Sequence, residues 1–380
     1  MTEVEEHRFP CETCGSDLRY APGTDHLICD HCGATSEILS QSTWRGQSLR
    51  ELDFRTAVAD DLPEAEIEET RVLSCDNCGA QVEFQPDNHA AECPFCATPV
   101  VTDTGTHRHI KPRGVLPFAL REDDARDAMN NWLGRLWFAP NGLQKFARKG
   151  RRLQGIYVPY WTYDADTKTR YSGERGTVYY ETRKVRVKVD GQTRTRTEKV
   201  AKVRWRRVSG RVARFFDDVL VLGSKSLPKE HTDALGPWDL STLETYQPEY
   251  LAGFRAEGYT VPLEEGYAAA SKIMDRMILR DVKFDIGGDR QRVHSIDTDV
   301  GQITFKHVLL PIWLAAYKYR GKTYRFVVNG QTGSVRGQRP WSIIKITLAV
   351  IAGLILAGII GYLIAINQDP GAVVTIRQFE

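Results

Sequence analysis

All 8 cysteines of this 380-residue chain belong to one repeated pattern, which limits what the N-terminal quarter can fold into. Cys11, Cys14, Cys29 and Cys32 recur as Cys75, Cys78, Cys93 and Cys96, each displaced by 64 residues. Both sets read C-x2-C-x14-C-x2-C. A C-x2-C pair brings two thiolates to one side of a tight turn, and two facing pairs make a closed tetrahedral S4 site. Gly15, Gly33 and Gly79 each follow a ligand directly and relieve backbone crowding there. Tyr20 matches Phe84 and Pro22 matches Pro86, so the copies share turn and strand features. So short a segment cannot build an adequate apolar core, and a bound metal replaces one. The pattern predicts two zinc ribbons holding two structural Zn2+ ions, with iron in a rubredoxin-like site or a redox dithiol as minor alternatives. Four thiolates leave no open position for catalysis. His26, His31 and His89 lie inside the ribbons but outside the filled ligand sets, and are expected at the surface.

Charge divides the chain into opposed modules that the totals of 51 Lys+Arg and 49 Asp+Glu conceal. Residues 1–100 carry 20 acidic residues against 6 arginines, a balance of about −14. Residues 143–214 carry 21 basic against 6 acidic residues, about +15. The two can attract each other or bind different partners. Eight thiolates and two Zn2+ take the ribbon segment to about −18, which phosphate backbones repel. Protein contact is therefore the expectation for the ribbons, with nucleic acid less favoured.

Ile346–Ile366 is a 21-residue run without a charge, about 31 Å long as a helix and matched to a bilayer's hydrocarbon core. The start of the chain lacks a basic n-region followed by an apolar h-region, so the N-terminus is expected to stay in the cytoplasm. Arg336, Arg339 and Lys345 precede the span and Arg377 alone follows it, which predicts a cytoplasmic bulk. Thiolate sites suit that reducing side. Ala349, Gly353, Ala357, Gly361 and Ala365 recur at every fourth residue, a stripe suited to close helix association and a homo-oligomer.

Between these landmarks the predicted organisation is a first ribbon over 1–40, an acidic linker over 41–70, a second ribbon over 71–105 and a cytoplasmic domain over 106–338. A transmembrane helix lies within 339–366 and a short external tail over 367–380. The domain mixes helix and strand without regular alternation, so the fold class is α+β and strand-rich. Helices are predicted over 122–138 and from Pro262 to about Arg280, the second with Leu263, Tyr267, Ala270, Ile273, Met274, Met277 and Ile278 on one face. RVHSIDTD, ITFKHVLLPIWLAAYKY and KTYRFVVNG read as strands, and VRVKVDGQTRTRT as a hairpin turning at Asp190-Gly191. Tyr157, Tyr160, Trp161 and Tyr163 are expected in the core. Removing zinc is expected to unfold each ribbon and leave most of 106–338 intact.

Lys184, Arg186 and Lys188 alternate with valines, and Arg194, Arg196, Lys202, Arg204, Arg206 and Arg207 follow, so one hairpin face is expected to carry a dense cationic strip. Anionic lipid or the acidic ribbons are the nearer partners, and a solvated strand face is the plain alternative. No phosphate-cradling loop occurs, because Ala316 stands where the first glycine of a pattern ending in Gly321-Lys322-Thr323 is required. No G-x-S-x-G, H-E-x-x-H or spare cysteine is present. His107 and His109 read as polar linker residues and DIGGD, residues 285–289, as a turn. A binding protein rather than an enzyme is the expectation.

VPYWTYDA with RYSGERG, FFDDVLVLGSK, PWDLSTLETYQPEYLAGFRAEGYTV, DIGGDRQ and TFKHVLLPIWLAAYKYRGKTYRFVVNGQTGSVRG resemble a family of bacterial membrane-anchored double zinc-ribbon proteins. Members carry labels such as TFIIB-type zinc ribbon protein or primosomal protein N′ (replication factor Y), superfamily II helicase. The resemblance covers nearly the whole chain and implies zinc ligation by the same eight cysteines. It also implies a place in envelope-stress assemblies beside other membrane proteins at the inner membrane. The expectation is a non-enzymatic adaptor recruiting a membrane-associated protein. The alternative is a nucleic-acid-binding factor linked to replication, without an ATPase motor.

Overall fold

The structure, a computed structural model, describes residues 9–39, 49–75, 77, 79–83, 90–93, 95, 99–101, 105–140, 153–189, 192–227, 231–232, 234–319, 322–338 and 341–367. It is a strand-rich α+β arrangement with one bare apolar helix. The N-terminal part holds β1 (Leu18–Tyr20), β2 (His26–Cys29) and β3 (Thr35–Glu37) in one antiparallel sheet. β4 (Leu52–Asp53) leads into the short α1 (Phe54–Val58), which Asp53 caps by accepting from the Thr56 amide at 2.9 Å. β5 (Ile67–Ser74), β6 (Gln81–Glu83) and β9 (Gly105–Ile110) form a second small sheet in the order β6-β5-β9. Within this stretch β7 (Ala90–Glu92) pairs with β8 (Pro99–Val101).

The body begins with β10 (Gly114–Val115) and α2 (Glu122–Gly134). Its frame is β11 (Gln154–Val189), β12 (Gln192–Leu222) and β15 (Arg290–Tyr319), an antiparallel trio in the order β12-β11-β15. β13 (Glu244–Thr245), β14 (Arg255–Ala256), β16 (Lys322–Asn329) and β17 (Val335–Gly337) complete the sheet, to which β4 and β10 also belong. β15 joins two stretches that the sequence suggests as separate strands. It pairs with β11 only as far as Gly176, opposite Arg290. Beyond that point β11 and β12 run on as a two-stranded arm, about 43 Å for residues 177–189 at the usual strand rise. The expected turn at Asp190-Gly191 lies outside the described residues.

One face of the trio is covered by α3 (Leu263–Ile286), whose buried residues Leu263, Gly266, Ala270, Met274, Ile278, Val282 and Ile286 form a single stripe. Met277, expected on that face, is 37% exposed. The helix runs past the predicted end near Arg280 and stops at Gly287, whose positive φ of 66° a residue with a Cβ rarely adopts. Trp161 Nε1 donates to the Val261 carbonyl at 3.0 Å and Tyr163 OH to that of Leu263 at 2.7 Å, which fixes the helix start on the sheet. Tyr157, Tyr160, Trp161 and Tyr163 are all core residues, none more than 4% exposed. α2 ends at Gly134, short of the predicted Phe138. Glycine weakens a helix interior, and residues 135–139 turn with short-range bonds such as Ala139 N–H to the Leu136 carbonyl at 3.0 Å.

Both cysteine modules are docked on this body. Tyr20, Leu27 and Ile38 of the first share a core with Phe118, Tyr157 and Trp313. Cys75, Ala80, Cys93 and Phe95 of the second share another with Leu116, Ile156, Val158 and Leu310. The last described element is α4 (Ile343–Asn367), in which the 24-residue stretch Ile343–Ile366 is long and apolar enough to cross a membrane and is not buried in the body. Its base is tied to the body: Lys345 Nζ donates to the carbonyls of Trp137 at 3.1 Å and Ala139 at 2.8 Å.

Candidate metal centre

Among the described residues one backbone motif appears three times. Cys11, Cys29 and Cys75 each donate an amide to the residue five positions on, Ser16 at 2.7 Å, Ala34 at 2.8 Å and Ala80 at 2.9 Å. Each also accepts at its carbonyl from the glycine four positions on, Gly15 at 2.8 Å, Gly33 at 2.9 Å and Gly79 at 2.7 Å. These glycines have φ of 75°, 75° and 71°, a region that a Cβ disfavours. The chain must reverse within two residues of the first thiol so that the second points the same way. This is why glycine follows the second cysteine.

In the first ribbon two such knuckles face each other. Cys11 Sγ lies 3.5 Å from Cys32 Sγ, and Cys14 Sγ lies 3.5 Å from Cys29 Sγ. All four sulfurs lie within 4.8 Å of one another, so the group can hold a metal ion. A tetrahedron with metal–sulfur bonds near 2.3 Å has sulfurs about 3.8 Å apart, inside that range. Cys11 and Cys29 are buried, whereas Cys14 and Cys32 are exposed. Backbone amides of Thr13 and Cys14 hold the Cys11 thiol below its ordinary value, and the Ser16 amide and hydroxyl bring Cys14 down to about 6. At Cys32 the Ala34 amide favours the thiolate, but contact with the Cys11 thiol, desolvation and the other two thiols push it up to about 12. A cation among the sulfurs would favour the thiolate form of all four.

The ribbon is held against the body by more than apolar contact. Tyr20 N–H donates to the Ala252 carbonyl at 2.9 Å and Gly23 N–H to that of Phe118 at 2.7 Å, while the Tyr20 ring meets Tyr250 edge-on at 5.4 Å. Of the two histidines described there, His31 is exposed and His26 is half-buried. In the second set, Cys75 and Cys93 are 2% and 3% exposed. Cys78, Cys96 and His89 lie outside the described residues.

The register distributes the basic residues differently from the expected single strip. Lys184 stands opposite Thr197, Arg186 opposite Thr195, Lys188 opposite Thr193 and Arg207 opposite Glu174, all at even positions of β11. Arg194, Arg196, Lys202, Arg204 and Arg206 stand opposite Val187, Val185, Tyr179, Thr177 and Arg175, at odd positions. Alternation along a strand puts Lys184 and Arg207 on one face and Lys202, Arg204 and Arg206 on the other. Lys202 is paired with Glu181 at 2.5 Å, and the Arg204 guanidinium lies 5.2 Å from the Tyr179 ring centre. On α4 the small-residue stripe is exposed, and no atom lies within 4 Å of where a Cβ on Gly353 or Gly361 would sit.

Sequence spacing gave no hint of a second charged centre. Lys306 Nζ, in a 7% exposed side chain, lies 2.8 Å from Asp218 Oδ1, 3.2 Å from Glu51 Oε1 and 3.4 Å from Asp164 Oδ2. Thr304 Oγ1 donates to Glu51 and the Asp218 amide to Asp164. Burial and a hydrogen bond shared with Glu51 push Asp164 up to about 7. Desolvation of Glu51 is outweighed by Thr304, Asp164 and Lys306, which hold it below its usual value. Asp164, Asp217 and Asp218 could together hold a metal ion, but the lysine ammonium already supplies the cation. His109, expected to be a polar linker residue, is instead 8% exposed and packs against Tyr259 at 4.8 Å. With Glu68, Glu257, Tyr259 and His307 it lines a small recess. His307 Nδ1 lies 2.7 Å from the Ile110 carbonyl, and burial lowers this imidazole to about 4.

No family model and no solved structure matches the chain. Among curated proteins, an uncharacterized Bacillus subtilis protein, YdjG, is 25% identical over 337 residues, spanning 88% of this chain and 90% of the relative.

Proposed function

We propose that this chain is a non-enzymatic, single-span membrane protein of the double zinc-ribbon family, which recruits a protein partner to the cytoplasmic face of the bacterial inner membrane. The observation that carries the reading is the pairing, on one body, of a closed four-thiol group with a bare apolar helix of spanning length. Zinc is the metal that four thiolates in a tetrahedron suit best, and its role with no open position is structural. A second zinc at Cys75, Cys78, Cys93 and Cys96 is supported by the knuckle at Cys75, which repeats the backbone bonds of Cys11 and Cys29. The cytoplasmic side is supported by the cations before the span and by the need for reduced thiols. The stripe on α4 suits pairing of two copies, the acidic ribbon face offers a protein contact, and the basic arm offers an anionic-lipid contact.

The test is crosslinked affinity purification of the full-length protein from membranes, wild type against Glu12→Lys with Glu37→Lys. Both glutamates are exposed on the first ribbon and neither is a ligand. Loss of specific membrane-associated partners with unchanged metal content is expected. The same partners copurifying with both proteins would remove the ribbon from the recruiting role. One observation favours the nucleic-acid reading: cations on both faces of a two-stranded arm suit a groove, which admits a β-ribbon. A steep fall of DNA affinity with salt would mark that outcome.

A further inference from the structure

We infer that the turn Arg135–Ala139 is a second membrane contact, in which Trp137 and Phe138, beside Trp341, enter the interfacial zone of the bilayer and seat the body against it. The inference rests on reading α4 as a span. The 24 residues Ile343–Ile366 measure about 36 Å as a helix, against about 30 Å of hydrocarbon. The first turn of α4 therefore lies at headgroup depth, where a lysine places its ammonium.

Three hydrogen bonds put the turn at that same depth. Lys345 Nζ reaches the carbonyls of Trp137 and Ala139 at 3.1 and 2.8 Å, and Ser342 N–H donates to the Phe138 carbonyl at 2.8 Å. The Phe138 and Trp341 ring centres are 6.4 Å apart. Trp137 is 81% exposed, Trp341 55%, Ile343 79% and Ile344 74%. These residues make an apolar patch continuous with the span, and such patches mark contact surfaces. An indole has an apolar body and one N–H donor, which suits the boundary between acyl chains and water. Arg135 is exposed next to the patch and would meet anionic headgroups. The occupant is a lipid interface rather than a protein because the patch shares its depth and its hydrogen bonds with the membrane helix. Because α2 ends in this turn, seating it fixes the orientation of the sheet against which α2 packs.

The test uses the full-length protein in vesicles of phosphatidylcholine and phosphatidylglycerol. The emission of wild type minus that of Trp137→Phe isolates Trp137. The expected difference spectrum is blue-shifted, strongly quenched when the lipids are brominated high on the acyl chain, and insensitive to iodide. Emission at the wavelength of a hydrated indole, open to iodide, would overturn the inference. Shielding from both quenchers would also overturn it by assigning the patch to a protein contact. If the variant folds poorly, photoreactive acyl chains read the same contact on the wild-type protein. Adducts on 135–139 support it, and adducts confined to 346–366 overturn it while leaving the span in place. Adducts on neither segment remove both this inference and the anchored reading.

Discussion

The four thiols of the first ribbon and the three carboxylates around Lys306 pose the same electrostatic problem, which a metal ion could answer in the first and a lysine ammonium answers in the second. In each, anionic groups converge within hydrogen-bonding reach: sulfurs within 4.8 Å of one another in the ribbon, carboxylate oxygens within 3.4 Å of one ammonium in the sheet. A metal ion held by the ribbon would come from solution, and the ribbon's fold would then depend on that ion. The sheet carries its cation on a side chain, so its dependence is on protons. Both centres are half open to solvent: buried Cys11 and Cys29 stand with exposed Cys14 and Cys32, and the 7% exposed Lys306 side chain stands with the 30% exposed Glu51 and the 25% exposed Asp218.

The largest expected effect comes from depriving the ribbon of its ion. Structural zinc contributes roughly 10–16 kcal/mol to the folding of isolated zinc-finger peptides. Chelation, or Cys11→Ser with Cys14→Ser, should unfold residues 9–39. The damage should also pass further than the sequence suggests, because Tyr20, Leu27 and Ile38 share a core with Phe118 and Tyr157. Hydrogen exchange should show faster exchange at 115–120 and 153–158, with 263–286 unchanged. Fast exchange limited to the ribbon would restore the expectation of an autonomous module.

Next in size is Lys306→Met. Removing one partner of a buried ionic group leaves the others desolvated and typically costs about 3–5 kcal/mol. Denaturant unfolding of the body should register that loss, and the chelator sensitivity of the ribbon should be unchanged. A stability change below about 1 kcal/mol would mean that the cluster is as solvated as a surface pair.

A third test separates protons from metal. The Asp164 carboxyl is pushed up to about 7 in the folded protein, whereas the unfolded value is about 3.9. The folded state therefore binds more protons between these values. This group's contribution to stability is fully present below the unfolded pKa and is lost as pH rises towards 7. Glu51 is held below its usual value and acts in the opposite sense, losing its contribution as pH falls through the carboxylate range. Asp164→Asn can still accept from the Asp218 amide but no longer titrates. Between pH 4 and 7 the wild type should lose stability relative to this variant, on the order of 1–2 kcal/mol. Parallel pH profiles would show that the carboxylates do not share a proton.

The two centres also differ in how far they can be read from sequence. A thiol site announces itself because each knuckle is local: two ligands three residues apart, with a glycine after them. The α3 stripe is legible for the same reason, since a helix brings residues three and four apart onto one face. Glu51, Asp164, Asp218 and Lys306 come together only because β4, β11, β12 and β15 enter one sheet, and no periodicity encodes that meeting. The basic run shows the intermediate case. Its alternation was visible, but the pairing of Lys184 with Thr197 and of Lys202 with Tyr179 placed the charges on opposite faces. The burial of His109 has no local signature, because it packs against Tyr259, about 150 residues away in the chain.

The smallest expected effect isolates the backbone's part in the ribbon from the metal's. A Cβ on Gly15 would meet no atom within 4 Å, so Gly15→Ala introduces no clash, and its cost is the φ of 75° alone. A left-handed backbone costs an L-residue roughly 1–2 kcal/mol. Alanine's smaller unfolded-state entropy offsets part of that. The net loss should be about 1 kcal/mol, near a fivefold weakening of metal affinity in a competition titration. Asparagine tolerates this conformation better, so Gly15→Asn should recover much of the loss even though its side chain is larger. If alanine and asparagine weaken binding equally, space rather than φ governs the knuckle, and the shared bonds at Cys11, Cys29 and Cys75 no longer explain why glycine stands after the second thiol.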